Sequence, residues 1–426
     1  MNVLHLADIH LGSGLAHGHL NPVTGLNTRL EDFIAALATC IDRALAEPVD
    51  LVLFGGDAFP DATPPPLVHE AFAGQFCRLA AARIPTVLLV GNHDQHAQGQ
   101  GGASLSLYRT LGVPGFIVGD RLATHRIQTR AGAVQVITLP WLTRSTLLTR
   151  PETVGLSLAE VHQLLLERLS LALEGEIRQL DPALPTVLLA HAMVDTAQYG
   201  SERYLSAGKG FTLPLSLLAR PCFDYVALGH VHRHQVLCTQ PPVVYPGSIE
   251  RVDFGEEGET KGYVLVDLQK GNTQIQFCPL PTRPFQTLRV DLTAIESDPQ
   301  TALLEAIAHH PTADAVVRLI YQLRSDQLSL INLSQLQQAL ASAHSVSFLP
   351  QLVNTQPSVR FPSIALEQAL DPDHALHLYL DHHPELEPLR QELLNALHSL
   401  QPAEPELSAP PEEPDIEIEQ LRLTLG

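Results

Sequence analysis

Five apolar runs in this chain end on residue types that bind metal ions, and this repeated grammar constrains the fold more than any other feature. Val3 to Ala7 runs into Asp8-Ile9-His10, and Leu51 to Phe54 into Gly55-Gly56-Asp57. Thr86 to Val90 leads to Gly91-Asn92-His93-Asp94, Val187 to Ala190 to His191, and Tyr225 to Leu228 to Gly229-His230-Val231-His232. Short runs rich in Val, Ile and Leu suit strands buried on both faces. In open α/β sheets, ligands gather beyond the carboxyl ends of the strands. Five such ends therefore predict one shared site. The glycines before Asp57, Asn92 and His230 predict tight turns and close backbone approach. In an extended segment, residues two apart point to the same side, so Asp8 is expected to face the site with His10, and His230 with His232.

The candidate ligands are Asp8, His10, Asp57, Asn92, His191, His230 and His232. They combine carboxylate, imidazole and amide oxygen without thiolate, which suits Mn²⁺, Fe or Zn²⁺ and disfavours a structural zinc site. Seven ligands are too many for one such ion and about right for two, with Asp57 as the bridge. Paired metals about 3.5–4 Å apart clamp the attacking and leaving oxygens of an in-line displacement. Taken alone, Asp-x-His, Gly-Gly-Asp or a single histidine says little. The signal is their joint occurrence, in order, each after a strand. His234 lies past the expected turn, and His17, His19 and His96 sit in loop-like surroundings, so none of these is assigned to the site.

Further along, Val134 to Leu139 reads as another strand, and Leu30 to Leu45 and Leu156 to Leu180 as amphipathic helices. This alternation predicts an α/β domain over 1–280. Val243 to Asp267 reads as a hairpin closing it. A Pro- and Arg-containing linker near 279–284 leads to a small α+β domain over 285–355, read as strand, helix, strand, helix. Residues 363–400 read as two helices, the second placing Leu386, Leu389, Leu393, Leu397 and Leu400 on one face. That face packs either on the chain's own core or into a partner's groove. Residues 401–426 are rich in Pro and Glu, with disorder expected.

The net charge of −20 argues against unaided binding to duplex DNA, which usually needs a basic surface. With only three lysines (Lys209, Lys261 and Lys270) the basic side chains are otherwise arginines, which suit bidentate phosphate contacts or simply reflect a high-GC genome. A local arginine patch, bound metals or a basic partner would be needed. The five cysteines (Cys40, Cys77, Cys222, Cys238 and Cys278) are far apart, with no metal spacing, and read as reduced thiols. No apolar run approaches the roughly 18–20 residues that span a bilayer. The first residues lack the basic lead of a signal peptide, so the expected location is the cytoplasm, in association with the nucleoid.

The ordered motifs D-x-H, G-D, G-N-H-D, H and G-H-x-H resemble the calcineurin-like metallophosphoesterase family. Within it, Asp57-Ala58-Phe59 followed by Pro64-Pro65, the run from Tyr245-Pro246-Gly247-Ser248 to Phe254-Gly255-Glu256-Glu257, and Arg283-Pro284-Phe285 before a small domain are similar to SbcD-type nuclease subunits. The resemblance covers most of 1 to about 400. It implies a sandwich of two β-sheets flanked by helices, an α+β capping domain over 285–355 and C-terminal helices. It implies one metal on Asp8, His10, Asp57 and His232, a second on Asp57, Asn92, His191 and His230, and His93 as the catalytic histidine. Mn²⁺ is the implied metal. The implied substrate is double-stranded DNA ends, cut exo- and endonucleolytically in DNA repair. The implied partner is an SbcC-type ATPase whose coiled coil engages residues 363–400, with a homodimer inside a heterotetramer. One departure is Pro60, where some relatives carry a histidine after the G-D-x-F segment.

Two other classes fit parts of the sequence. A stand-alone phosphoesterase would act on a small molecule or a phosphoprotein, though the extra domains after residue 285 count against a minimal enzyme. A non-catalytic scaffold would keep the fold for binding, but every ligand position is filled.

Overall fold

Strand runs that are apolar on both faces must be covered twice, and two stacked sheets under helices meet that need. The computed structural model describes residues 1–96, 102–143, 148, 153–200, 211–295, 298–353, 372–381 and 384–400. Met1–Val353 form one compact unit and Asn354–Gly426 a second.

The chain first lays down β1 (Asn2–Leu6), β2 (Leu51–Phe54), β3 (Thr86–Leu89) and β4 (Phe116–Gly119), all parallel. It then crosses to a second sheet through β5 (Ala123–Thr129), β6 (Gly132–Leu139) and β7 (Thr186–His191). A two-stranded ribbon of β8 (Met193–Val194) and β9 (Thr212–Leu213) follows. The second sheet is completed by β10 (Tyr225–Gly229), β11 (Gln235–Thr239) and β12 (Pro242–Tyr245), and β13 (Gly262–Asp267) and β14 (Gln274–Pro279) return to the first. The orders are β14-β13-β1-β2-β3-β4 and β11-β12-β10-β7-β6-β5.

Side chains sort by strand period. Val3, Leu51, Leu53, Val87 and Leu89 of the first sheet meet Val136, Val187, Leu189, Tyr225, Ala227 and Val244 of the second in one buried layer. Their outward neighbours Leu4, Leu6, Val52, Phe54 and Leu88 pack under helices Thr28–Ala46 and Pro66–Ala81. On the other side Leu188, Ala190, Val226 and Leu228 lie with Leu169 and Leu173 of helix Leu158–Ile177. Asn27 accepts from the Arg29 amide to start the first helix, and Ser157 with Glu160 forms a capping box at the start of the last. The fold is thus the α/β domain that the alternation predicts, in the form of the two-sheet sandwich flanked by helices that the family resemblance implies.

One expectation changes. Val243 to Asp267 is not a hairpin, because β12 belongs to the second sheet and β13 to the first. Each pairs instead with a neighbour, β12 with β11 and β13 with β14. The residues between them carry buried Glu256 and Lys261, which a solvent turn would not.

Residues 285–352 form a three-stranded parallel sheet of β15 (Phe285–Asp291), β16 (Val316–Leu323) and β17 (Ser345–Leu352), with helices Pro299–Ala308 and Leu333–Ala339. Leu288, Leu303, Leu319, Tyr321 and Leu336 are its core. β17 is not legible beforehand: Pro350 argues against a strand, and it is tolerated because β17 is an edge. The connection before β15 is pinned rather than loose. Arg283 donates to both oxygens of Asp32, at 2.6 and 2.7 Å, and to the Asp314 carbonyl at 3.0 Å.

In the second unit, helix Pro372–Asp381 and helix Arg390–Leu400 flank a 3₁₀ segment, Pro384–Leu389. Among the described residues Leu380 and Leu394 are the buried leucines, while Leu389, expected on the apolar face, is 46% exposed. The leucine stripe breaks because Leu386 and Leu389 precede the α-helix. All of 363–371, residues 382–383 and the whole acidic tail 401–426 lie outside the described residues.

Candidate metal centre

The seven candidate ligands do converge, but not by strand alternation. Asp8, His10, Asp57 and His230 have φ of 52°, 46°, 58° and 107°, so the backbone curls in the left-handed region where the strands end. Left-handed backbone at non-glycine residues costs free energy and clusters at functional sites. The pairs Asp8/His10 and His230/His232 therefore reach the site through strained turns. Glycine is obligatory at two points. A Cβ on Gly91 would stand 2.2 Å from Asp57 Oδ1, and one on Gly229 would stand 2.1 Å from the Gly55 carbonyl oxygen. At the second point the end of β10 in one sheet meets the end of β2 in the other.

Two groups of ligand atoms result, each within 4.8 Å: Asp8, His10 and His232, and Asp57, His191 and His230. Asp57 joins them. Its Oδ2 lies 3.7 Å from His10 Nε2 and 3.3 Å from His191 Nε2. Asn92 Oδ1 completes the second group, 2.9 Å from His191 Nε2 and 2.9 Å from His230 Nδ1. His10 Nε2 and His232 Nε2 are 3.0 Å apart.

Neighbours fix which nitrogen each ring offers. His191 Nδ1 donates to the Gly55 carbonyl at 2.7 Å, and His232 Nδ1 to Glu256 Oε1 at 2.6 Å, so both turn Nε2 inward. His230 turns Nδ1 inward, and its buried Nε2 has no hydrogen-bond partner among the described residues. Trp141 stacks on the His230 ring, with centroids 4.7 Å apart and planes 28° apart.

His93 stands beside the first group, its ring centroid 5.0 Å from that of His10. Its Nδ1 donates to the Pro60 carbonyl at 2.7 Å, leaving Nε2 free for chemistry. Proline at 60 thus still serves the site, through its backbone. The remaining histidines stay outside it. His234 stacks on Phe277, and His17 packs against Phe254.

The charges make a cation centre chemically apt. Asp8 and Asp57 are buried, and buried anions need paired positive charge. Burial lifts the Asp8 carboxyl to about 7 despite His191 and His232 nearby. Burial would also raise Asp57, but His191 and His10 outweigh it and hold that carboxyl well below the usual range. In return Asp57 and Asp8 overcome the burial of His191 and raise it to about 9. Burial and His232 push His10 down to about 3. Without a metal, protons are the countercharge. The mixed carboxylate, imidazole and amide donors fit two divalent ions.

Sequence reasoning missed three supporting residues: Trp141, Glu256 and the bracing role of Asp94. Asp94 is fully buried and accepts from the Asp57 and Gly91 amides at 2.9 Å each and from the Ala58 amide at 3.0 Å. It knots two of the five motifs together. Asp94→Ala would strand three donors, at about 1–3 kcal/mol each. We expect the metal-free variant to lose roughly 3 kcal/mol or more in urea unfolding, at that cost per donor.

A family model for calcineurin-like phosphoesterases matches residues 1–234. Similar solved structures include a dimetal phosphatase from Danio rerio, at 11% identity and TM-score 0.39, covering 65% of this chain and 95% of that one. Another is TT1561 of Thermus thermophilus, at 16% identity and TM-score 0.35, covering 65% and 98%. A third is the purple acid phosphatase PPD1 of yellow lupin, at 13% identity and TM-score 0.38, covering 66% and 51%. With more than half of its length matched by the family model, the chain belongs to the calcineurin-like phosphoesterase family.

Proposed function

We propose that this metallophosphoesterase is a DNA nuclease subunit, an exo- and endonuclease that hydrolyses phosphodiesters at double-strand ends with an SbcC-type ATPase as partner. The observation that carries the reading is the segment 245–257, similar to an SbcD-type signature. It is wired into the metal centre through Glu256 and His232, and to residues 285–352 through Glu257 and the Thr287 amide, 2.9 Å apart. A minimal phosphatase has no need of that second attachment. Helices Pro372–Asp381 and Arg390–Leu400 are the proposed seat for the ATPase coiled coil, and a homodimer within a heterotetramer the proposed assembly. No described helix is long and apolar enough to cross a membrane.

In this reading Asp8, His10, Asp57 and His232 hold one ion, and Asp57, Asn92, His191 and His230 the other. Bound there, two divalent ions, Mn²⁺ by the family resemblance, would supply Lewis acidity at phosphorus and acidify a water. The chain does the rest. Asp57 holds both halves in register, Glu256 and the Gly55 carbonyl fix the ligand tautomers, and His93 offers Nε2 beside His10, to protonate the leaving oxygen or to stabilise charge on the transferring phosphoryl group.

Metal loading must displace protons. His191 is protonated below about 9 and Asp8 below about 7, and neither can ligate in that form. Affinity should therefore rise with pH across about 7 to 9, and rise more steeply below 7. Calorimetry in buffers of different ionisation enthalpy should record net proton release. Affinity that falls as pH rises would contradict the assignment.

A second reading has one feature in its favour. The net charge of −20 suits a small phosphodiester better than a polyanion. Linear duplex DNA with Mn²⁺, incubated with the purified chain and with Asp57→Asn as control, separates the two. Degradation by the wild type alone supports the nuclease. Cleavage of a model phosphodiester with DNA untouched, even after the ATPase partner is added, favours the small-molecule enzyme.

A further inference from the structure

We infer that Glu256 is a positioning residue for His232, and that residues 285–352 grip the segment carrying it, so that the seat of this module sets one half of the metal centre. The inference rests on the two-metal reading above.

Glu256 closes a buried ring with the ligand histidine. Its Oε1 accepts from His232 Nδ1, and its Oε2 lies 2.7 Å from Lys261 Nζ. Lys261 Nζ then donates to the His232 carbonyl at 3.1 Å. Both the ring and the backbone of His232 are thereby held. Glu256 is 2% exposed and Lys261 1% exposed. The ammonium lets the carboxylate stay ionised in the wall of the site, where a lone buried anion would be costly. A carboxylate behind a metal-binding histidine fixes its tautomer and raises its basicity.

The same segment faces the other way as well. Two residues before Glu256, the Phe254 ring lies 4.2 Å from the Arg318 guanidinium carbon and 4.9 Å from the Phe285 ring. One residue after it, Glu257 accepts from the Thr287 amide. Arg251 donates to the Glu256 carbonyl at 3.2 Å and, from its other end, to Thr282 Oγ1 at 2.7 Å and the Arg283 carbonyl at 3.0 Å. The 3₁₀ turn Phe254–Glu256 is short and capped by Asp253, which accepts from Gly255 at 2.6 Å. Such a turn passes displacement along rather than absorbing it. A shift of β15 and β16 therefore reaches His232 through Phe254 and Glu256, without a hydrogen bond or ion pair from any described residue of the module to a ligand. The plain alternative is a buried ion pair that only stabilises the fold, which would leave metal affinity untouched.

The test is Mn²⁺ titration of the full metal-free chain by calorimetry, with thermal unfolding of each metal-free variant alongside. Wild type must first bind two ions per chain; failure there sinks the two-metal reading itself, not the role of Glu256 alone. Given two, Glu256→Gln should weaken one site about 10–100-fold and spare the other. Arg318→Ala, which removes a side chain seated on Phe254 and Thr287, should weaken the same site several-fold. Two unchanged affinities in Glu256→Gln would overturn the positioning role, as would equal weakening of both sites together with lost metal-free stability. An effect of Glu256→Gln with none of Arg318→Ala would sustain positioning and overturn the grip.

Discussion

Asp57→Asn is expected to bind at most one metal ion per chain and to lose phosphodiester hydrolysis by well over the roughly hundredfold that marks loss of an outer partner of a ligand. The reason is geometric. Asp57 Oδ2 lies between the two groups of ligand atoms, 3.7 Å from His10 Nε2 and 3.3 Å from His191 Nε2. Asparagine keeps the size, which matters because Gly91 leaves no room beside this side chain. The Asp94 bracket bonds the Asp57 backbone amide and survives the change. What disappears is the anion. Loss of charge also frees His191 from the carboxylate that raises it, so its pKa should fall below about 9. Elemental analysis of the Mn²⁺-loaded protein and initial rates on a model phosphodiester check both expectations. Two ions and an unchanged rate in Asp57→Asn would remove Asp57 from the bridge.

The sequence made the candidate ligands legible because each sits where a strand run stops, and strand ends in an α/β sheet point the same way. Runs such as Leu51 to Phe54 needed only their own residues to declare themselves as strands. The supporting residues had no such signal. Glu256 lies 24 residues beyond His232, in a stretch that reads like a turn between two strands. Only the assignment of β12 and β13 to different sheets stretches that connection across the site. Trp141 follows a strand that ends without a ligand, and its stacking on His230 depends on how β6 and β7 lie beside β10. Local periodicity encodes elements and their ends. It does not encode which loop crosses which.

The turn geometry was also hidden. An i, i+2 pair suggests extended backbone, yet Asp8, His10 and His230 adopt positive φ. The Asp8 carboxylate accepts from the His230 amide with both oxygens at 3.0 Å, a contact made across more than two hundred residues. Such cross-sheet bonds offset the cost of the left-handed backbone, and they exist only after the sheets have packed. The same contact ties the two ligand groups to each other independently of any ion.

His93→Ala should reduce kcat by about 10²–10⁴, the range for a lost general acid or base, with both metals retained. Retention follows from the structure. The His93 backbone amide, not its ring, donates to Asp57 Oδ1 at 2.8 Å, and that bond survives truncation to alanine. The ring contributes Nε2, held in place because Nδ1 is committed to the Pro60 carbonyl. The choice of substrate then separates two roles. A proton donor matters most when the leaving group is a basic sugar alkoxide, and little when it is an aryl oxide stable as an anion. On the proposed nuclease reading, loss on DNA but not on an aryl phosphodiester would make His93 the general acid. Equal loss on both would assign it to stabilising charge on the transferring phosphoryl group. Unchanged rates on both substrates would exclude the side chain from the reaction and leave its backbone amide as the only contribution of residue 93.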